Sequence, residues 1–326
     1  TGGTGTSDTL SLAATTAITA AETANVSGFE TLEIADTTAA SSVILNDGVV
    51  AAGKTLTVDG SSVTTGAITF NASAETDGKF SISTTSTGNH IITLGAGNDT
   101  VSLGTGDNTV TATGGNNVIT TSTGADTITG GDGAESITSG TGNDTVKFTS
   151  AGFTFSDTVT MGAGTDTISM TESATVIDTD FTNVTGMTTF QNEAVDGATT
   201  LTLGAEAAEA GLTTIGFTDT NGTGADVITI GSGFTNDLAI NILATTGDDK
   251  IDATGYTKNL TITLDSATLT GSDTITGGSG TDTLIFKGAN ATTLLVEGDF
   301  AGVTNIEELQ FGDNSNRTIA VDEETV

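Results

Sequence analysis

Residues 95–148 decide the fold: GAGNDTVSL (95–103), GTGDNTVTA (104–112), TGGNNVITT (113–121), STGADTITG (122–130), GDGAESITS (131–139) and GTGNDTVKF (140–148). A nine-residue phase runs through the stretch without slippage. Glycine stands at Gly97, Gly106, Gly115, Gly124, Gly133 and Gly142, and an aliphatic follows four residues later at Val101, Val110, Ile119, Ile128, Ile137 and Val146. Two residues after each glycine comes a side chain with an oxygen: Asp99, Asn108, Asn117, Asp126, Glu135 and Asp144. A weaker copy, Ser86-x-Gly88-x-His90-x-Ile92, precedes the block. Self-similarity at a fixed period is the mark of a repeat architecture.

The spacing has a physical reading. Glycines at alternate positions open backbone dihedrals closed to other residues, so the first part of each nonamer makes a tight turn whose carbonyls point inward. The last part, one aliphatic flanked by Thr or Ser, is a very short strand with two-residue alternation. Two nonamers then complete one coil, and residues 18 apart stack at about 4.8 Å, the spacing of neighbouring strands. That places Val101, Ile119 and Ile137 in one sheet and Ile92, Val110, Ile128 and Val146 in the other, with a thin ladder of single aliphatics as core. One edge carries Asp99, Asn117 and Glu135, the other His90, Asn108, Asp126 and Asp144. Carbonyls and carboxylates crowded on an edge call for a hard divalent cation, and Ca²⁺ takes about six to eight oxygen ligands of either kind.

The runs GAGNDTVSL, GDGAESITS and GTGNDTVKF resemble the RTX nonapeptide G-G-x-G-x-D-x-U-x, a calcium-binding parallel β-helix signature. The resemblance implies an all-β, elongated, right-handed parallel β-roll or β-solenoid that binds several Ca²⁺ ions. In that family the Asp side chain and the turn carbonyls hold Ca²⁺ between adjacent coils. Carried over, the matching aspartates are Asp99, Asp126 and Asp144, with Gly95, Gly97, Gly124, Gly140 and Gly142 as turn residues. The pattern also fails in places. Asn108 and Asn117 offer neutral oxygens, Glu135 is a methylene longer, His90 is a poor calcium ligand, and Thr113 and Ser122 replace the first glycine. The strongest site is expected at Asp126 and Asp144, and weak or empty ones beside His90 and Asn117.

Looser copies of the turn lie outside the block. They are Gly3-Thr-Gly5 with Asp8, Gly162-Ala-Gly164 with Asp166, Gly222-Thr-Gly224 with Asp226, Gly247 with Asp249, Gly271 with Asp273, and Gly278-Ser-Gly280 with Asp282. Asp166, Asp226, Asp249, Asp273 and Asp282 are therefore further metal candidates. Spacings of 23 and 24 residues between Asp226, Asp249 and Asp273 predict larger coils there. A longer unit recurs as well: TSDTLSL leads to NVSGFETLEI (25–34), GTDTISM to NVTGMTTFQ (183–191), and GTDTLIF to GVTNIEELQF (302–311). Three uses of one unit make the chain an array in which each unit contacts its neighbours. Its expected divisions are a β-rich flank over 1–85, a roll over 86–170, and a solenoid with degenerate turns over 171–326. Within the flank, 35–85 reads only as β-prone and polar.

Composition excludes other classes. The 326 residues hold 7 Lys plus Arg against 41 Asp plus Glu, a net charge of −34. The cations, Lys54, Lys79, Lys147, Lys250, Lys258, Lys287 and Arg317, are scattered, so neither nucleic acid nor an anionic membrane surface is an expected partner. The sequence has no apolar run of spanning length, no charged-then-apolar leader and no initiating Met; it is expected to be a slice of something longer and not to insert in a membrane. Cysteine is absent, His90 is the single histidine, and neither H-E-x-x-H nor G-x-S-x-G occurs, so no catalytic residue is assigned and an enzyme is not expected. Without Trp and with one Tyr, a sugar cleft lacks its aromatic platforms. An ice-binding rank of Thr109-x-Thr111 and Thr127-x-Thr129 breaks at Thr145-x-Lys147.

The GTDTL and N-φ-E-x-L elements, set in an acidic, Cys-free background with RTX turns, look like RTX-type S-layer proteins and large RTX surface adhesins of Gram-negative bacteria. That resemblance implies an extracellular protein of the bacterial cell surface, exported by type I secretion, although no C-terminal signal is recognisable in RTIAVDEETV. The expected partner is the protein itself, in a lattice or homo-oligomer; a cell-surface polysaccharide, bound through a part outside this chain, is the second candidate. The leading expectation is a self-assembling S-layer segment with calcium as cofactor, and the alternative is an adhesin stalk.

Overall fold

A computed structural model describes residues 2, 5, 7–12, 17–35, 38–193, 197–217, 224–242, 247–265, 268–287, 294–312 and 318–320. Gly3, Gly222 and most of RTIAVDEETV lie outside the described residues. The chain divides into two compact units, Thr1–Thr167 with Asn183–Gly186, and Ile168–Thr182 with Met187–Val326.

In the first unit every nonamer of the 95–148 block becomes a short strand. These are Thr100–Ser102, Thr109–Thr111, Val118–Thr120, Thr127–Thr129, Ser136–Thr141 and Thr145–Phe148, and they pair only in parallel. Val101, Ile119 and Ile137 lie opposite one another in one sheet, and Ile92, Val110, Ile128 and Val146 in the other. The coil is two nonamers, as the phase predicts. The core is wider than a single-file ladder. Because strand side chains alternate with period two, the residue two beyond each aliphatic also faces inward, so Leu94, Leu103, Ala112, Thr121, Ser139 and Phe148 form a second buried column. In that column a side chain at Gly130 would collide with Phe148, whose Cε1 lies 2.5 Å from the position of a Cβ.

Coils on either side of the block are longer. Val58 pairs with Ile82, Phe70 with Ile92 and Ile137 with Val159, steps of 24, 22 and 22 residues. A larger cross-section needs larger side chains to reach interior packing density. Residues 86–147 contain no aromatic, whereas the longer coils hold Phe70 edge-on to Phe80 at 5.4 Å and Phe148 beside Phe153 at 5.2 Å.

The second unit repeats the principle with large coils. Phe190, Ile215, Ile240, Ile262, Leu284 and Leu309 stack through one parallel sheet. Leu201, Ile228, Ile251, Ile275 and Val303 stack through another.

The longer sequence unit has a local structure of its own. A single helical turn precedes the second element of each copy, at Ala20–Thr23, Asp178–Phe181 and Glu297–Phe300. A carboxylate in that turn accepts the N–H at its start: Glu22 from Thr19 at 2.8 Å, Asp180 from Ile177 at 2.9 Å, and Asp299 from Val296 at 2.8 Å. The chain then passes through a left-handed residue at matched positions, Gly28 (φ 76°), Gly186 (φ 84°) and Asn305 (φ 56°). Only glycine, and asparagine among ordinary residues, adopts that conformation readily, which accounts for NVSG, NVTG and GVTN. In the first and third copies the two matched elements are successive rungs, with Thr9 opposite Thr31 and Thr283 opposite Glu308.

Candidate calcium-binding turns

The turns of successive coils sit glycine on carbonyl. At Gly124, whose φ is 144°, an added Cβ would lie 2.3 Å from the Gly106 oxygen; at Gly133 it would lie 1.9 Å from the Gly115 oxygen. No other residue leaves room for the carbonyl beneath. Gly95, Gly97, Gly140 and Gly142 abut the oxygens of Glu75, Gly78, Ser122 and Gly124 in the same way. The sequence thus stacks glycine over carbonyl oxygen from coil to coil along each edge.

The oxygen-bearing side chains turn inward and form a ladder. On one edge Asp99 accepts the Phe80 N–H at 2.8 Å, Asn117 the Asp99 N–H at 2.9 Å, and Asp157 the Glu135 N–H at 2.8 Å. On the other, the Ile68 N–H donates to His90 Nδ1 at 3.0 Å and the His90 N–H to Asn108 at 3.0 Å. The same edge continues from Asn108 N–H to Asp126 at 2.7 Å, from Asp126 N–H to Asp144 at 2.9 Å, and from Asp144 N–H to Asp166 at 2.9 Å. In the second unit Asp226, Asp249 and Asp273 accept from Thr199, Asp226 and Asp249 at 2.7, 2.9 and 2.8 Å, and Asp282 accepts from Leu260 at 2.9 Å. Asp99, Asn108, Asn117, Asp126, Asp144, Asp166, Asp226, Asp249, Asp273 and Asp282 therefore each have a rung, whereas the Glu135 carboxylate is reached by Asn117 Nδ2 at 3.4 Å. His90 holds the aspartate's place as a neutral ring: Nδ1 accepts, burial pushes its pKa down, and the proton stays on Nε2.

A second ladder, outside the first, was missed by the reading of the sequence. Asn89 accepts from Asp107 N–H, Asn98 from Asn116, Asp107 from Ala125, Asn116 from Ala134 and Asn143 from Thr165, all at 2.8 to 3.0 Å. Its signal was present, since a polar residue follows the phased glycine in Asn98, Asp107, Asn116 and Asn143.

The second carboxylate oxygen separates two kinds of turn. Asp157, Asp273 and Asp282 are saturated, with Oδ2 accepting from Thr154 at 2.8 Å, Thr270 at 2.7 Å and Gly278 at 2.6 Å respectively. In Asp99, Asp126 and Asp144 the Oδ2, and in Glu135 the Oε2, is buried with no hydrogen-bond donor. A buried charge without a partner is costly, and burial drives Asp99, Asp126 and Glu135 toward the neutral form. Burial, with Glu75 and Lys79 acting in opposite senses, pushes Asp99 up to about 7. Burial, reinforced by Asp157 and Asp99, pushes Glu135 up to about 7. Asp126 and Asp166 are raised by burial as well.

The donor set fits a hard cation. Carboxylate and carbonyl oxygens line the turns, and no group of three or more His, Cys, Asp or Glu is gathered at one point among the described residues. Carboxylates enter one per rung, which leaves the remaining ligands to the turn carbonyls, and Ca²⁺ accepts these readily. Bound there, the ion would supply the positive charge the partnerless oxygens lack and favour the ionised form of Asp99, Asp126 and Glu135.

The sequence profile of the RTX calcium-binding nonapeptide repeat matches in four copies, over residues 84–110, 111–146 and 267–290. No curated protein and no solved structure matches the chain. Repeats of this class bind calcium ions, and proteins that carry them are typically secreted and extracellular. Asp99, Asp126, Glu135 and Asp144, whose buried oxygens have no donor, all fall inside the first two matches, so geometry and comparison agree: the chain carries RTX calcium-binding nonapeptide repeats.

Proposed function

We propose that the chain is a structural segment of an extracellular protein that assembles with copies of itself into an S-layer, and that calcium closes its turns. The observation that carries the reading is the row of buried carboxylate oxygens without donors at Asp99, Asp126, Glu135 and Asp144. Asp144 and Asp126, stacked directly, form the strongest position; Asp166 continues their ladder, and Asp226 and Asp249 stand in a separate ladder of the second unit. Asp273 and Asp282, saturated by backbone N–H groups, depend on the ion least. Metal binding is then linked to folding, because the ligands are brought together only in the coiled state. Extracellular modules bind calcium at about 10⁻⁴ to 10⁻³ M, which sets the range of the response.

Self-assembly is supported by the threefold use of one structural unit and by an acidic chain whose copies repel unless a divalent ion bridges them. An adhesin stalk is the second reading, favoured by the same repetition. No helix among the described residues is long and apolar enough to cross a membrane. Electron microscopy of the purified chain in about 1 mM calcium separates the two: sheets or regular oligomers support the lattice, and isolated rods support the stalk. Circular dichroism tests calcium itself. The β signal should weaken on adding EGTA and return with calcium, and a spectrum indifferent to both removes the metal from the account.

A further inference from the structure

Two of the six turns in the 95–148 block carry asparagine where the others carry an acid, and their amides are oriented without ambiguity. Asn108 Oδ1 accepts the His90 N–H at 3.0 Å, which only the oxygen end can do. The Nδ2 end therefore faces the turn. It donates to the carbonyls of Gly106 at 2.8 Å and Gly104 at 3.4 Å, and across to Asp126 Oδ1 at 2.9 Å. Asn117 repeats the arrangement on the opposite edge. Its Oδ1 accepts the Asp99 N–H at 2.9 Å, and its Nδ2 donates to Gly114 at 3.1 Å, Gly115 at 3.4 Å and Glu135 Oε1 at 3.4 Å. Both side chains are buried. In each case the amide nitrogen stands among two turn carbonyls and the carboxylate of the following coil, a set made only of acceptors.

We propose that the Asn108 and Asn117 carboxamides take the place of a calcium ion, closing their turns with N–H donors so that these two positions need no metal. The inference rests on calcium being the ion of the acidic turns. Asp99, Asp126 and Asp144 carry no N–H of their own into the turn, and in each a buried oxygen is left over, at Asp126 even after Oδ1 has accepted from Asn108 Nδ2; at Asn108 and Asn117 the donor is built in. Each edge then has a rung that holds without calcium, and the roll keeps a stacked centre from which calcium-dependent rungs extend. Exchanging the amide for a carboxylate removes the donor, adds an oxygen and opens one further calcium position.

The test compares the full chain with N108D, N117D and N108A. Calcium per chain is measured after equilibration in saturating calcium, and thermal midpoints are measured in calcium and in EGTA. N108D and N117D should each hold one more calcium than the parent, melt below it in EGTA and recover in calcium. N108A should hold as many ions as the parent and melt lower in both buffers. An unchanged count in both aspartate variants overturns the inference, as does one ion fewer in N108A, which would make the Asn108 oxygen a ligand. Should N108D fail to fold in calcium, the N117D count decides. A parent that binds no calcium instead overturns the calcium reading, and the same measurement reveals it.

Discussion

Asp126 does two jobs with one carboxylate: Oδ1 receives the Asn108 N–H and Nδ2–H, and Oδ2 has no donor. D126A removes both functions and leaves a buried N–H without an acceptor, a loss of about 1–3 kcal/mol, together with one calcium. D126N restores the acceptor and brings an amide donor, so it should lose the ion yet melt above D126A in EGTA; equal midpoints for the two would contradict the ladder. The raised groups also give the calcium-free protein a pH dependence of definite sign. Asp99 and Glu135 titrate near 7 in the folded chain against ordinary values of 3.8 and 4.5, so the native state holds protons the unfolded state releases. Their stabilisation is complete below the ordinary values and is lost as pH rises through about 7. In EGTA the thermal midpoint should fall between pH 5.5 and pH 8, and calcium should raise it more at pH 8, where the ion displaces no proton. A midpoint that climbs with pH in EGTA would show that these carboxyls are not buried as described.

Within a coil the turn and the strand make different demands, and glycine shows which is which. G133A pushes a methyl onto the Gly115 carbonyl and should cost several kcal/mol or abolish folding of the roll, while G216A, in a strand with open space around it, should be neutral or stabilise by about 0.4–1 kcal/mol. Comparable losses in urea-unfolding midpoints for both would mean that the turns do not stack. I128A, in the inward column, should cost about 2–5 kcal/mol. The contrast also explains what could be read beforehand. Nine-residue phase fixes both coil length and stacking partner, so Val101 over Ile119 and Asp126 over Asp144 followed from counting. The second inward column followed from strand alternation as well, but its members range from Leu103 to Gly130 and Ser139, a mixture that hides a column. Saturation of Asp273 and Asp282 was illegible because the donors, Thr270 and Gly278, are backbone groups placed by local turn geometry that no side-chain pattern announces. The turn positions Gly28, Gly186 and Asn305 were visible as a motif, yet their left-handed backbone is a property of the path the chain takes after each helical turn.

For the molecule as a whole the governing quantity is a net charge of −34 on 326 residues. Calcium meets that charge in two different environments. Inside the turns the carboxylates are buried, so added salt screens their interaction with the ion poorly, whereas in the proposed assembly exposed acids on separate copies would attract bridging ions through water and be screened within about 10 Å at 0.1 M salt. Coil closure and association should therefore respond to salt separately. Titrated with calcium in dilute buffer, the chain should gain β signal first and scatter light or form sheets at a higher calcium concentration. In about 1 M KCl, where the Debye length is about 3 Å, the β signal in calcium should persist while assembly is suppressed. Monovalent salt alone should not restore the β signal in EGTA, because K⁺ screens the surface without supplying the charge the buried oxygens need. If KCl substitutes for calcium, the ions act only as general screening and the turns are not their sites. If assembly survives high salt while remaining calcium-dependent, the contact between copies is itself a buried coordination site, and the exposed acids are not what joins them.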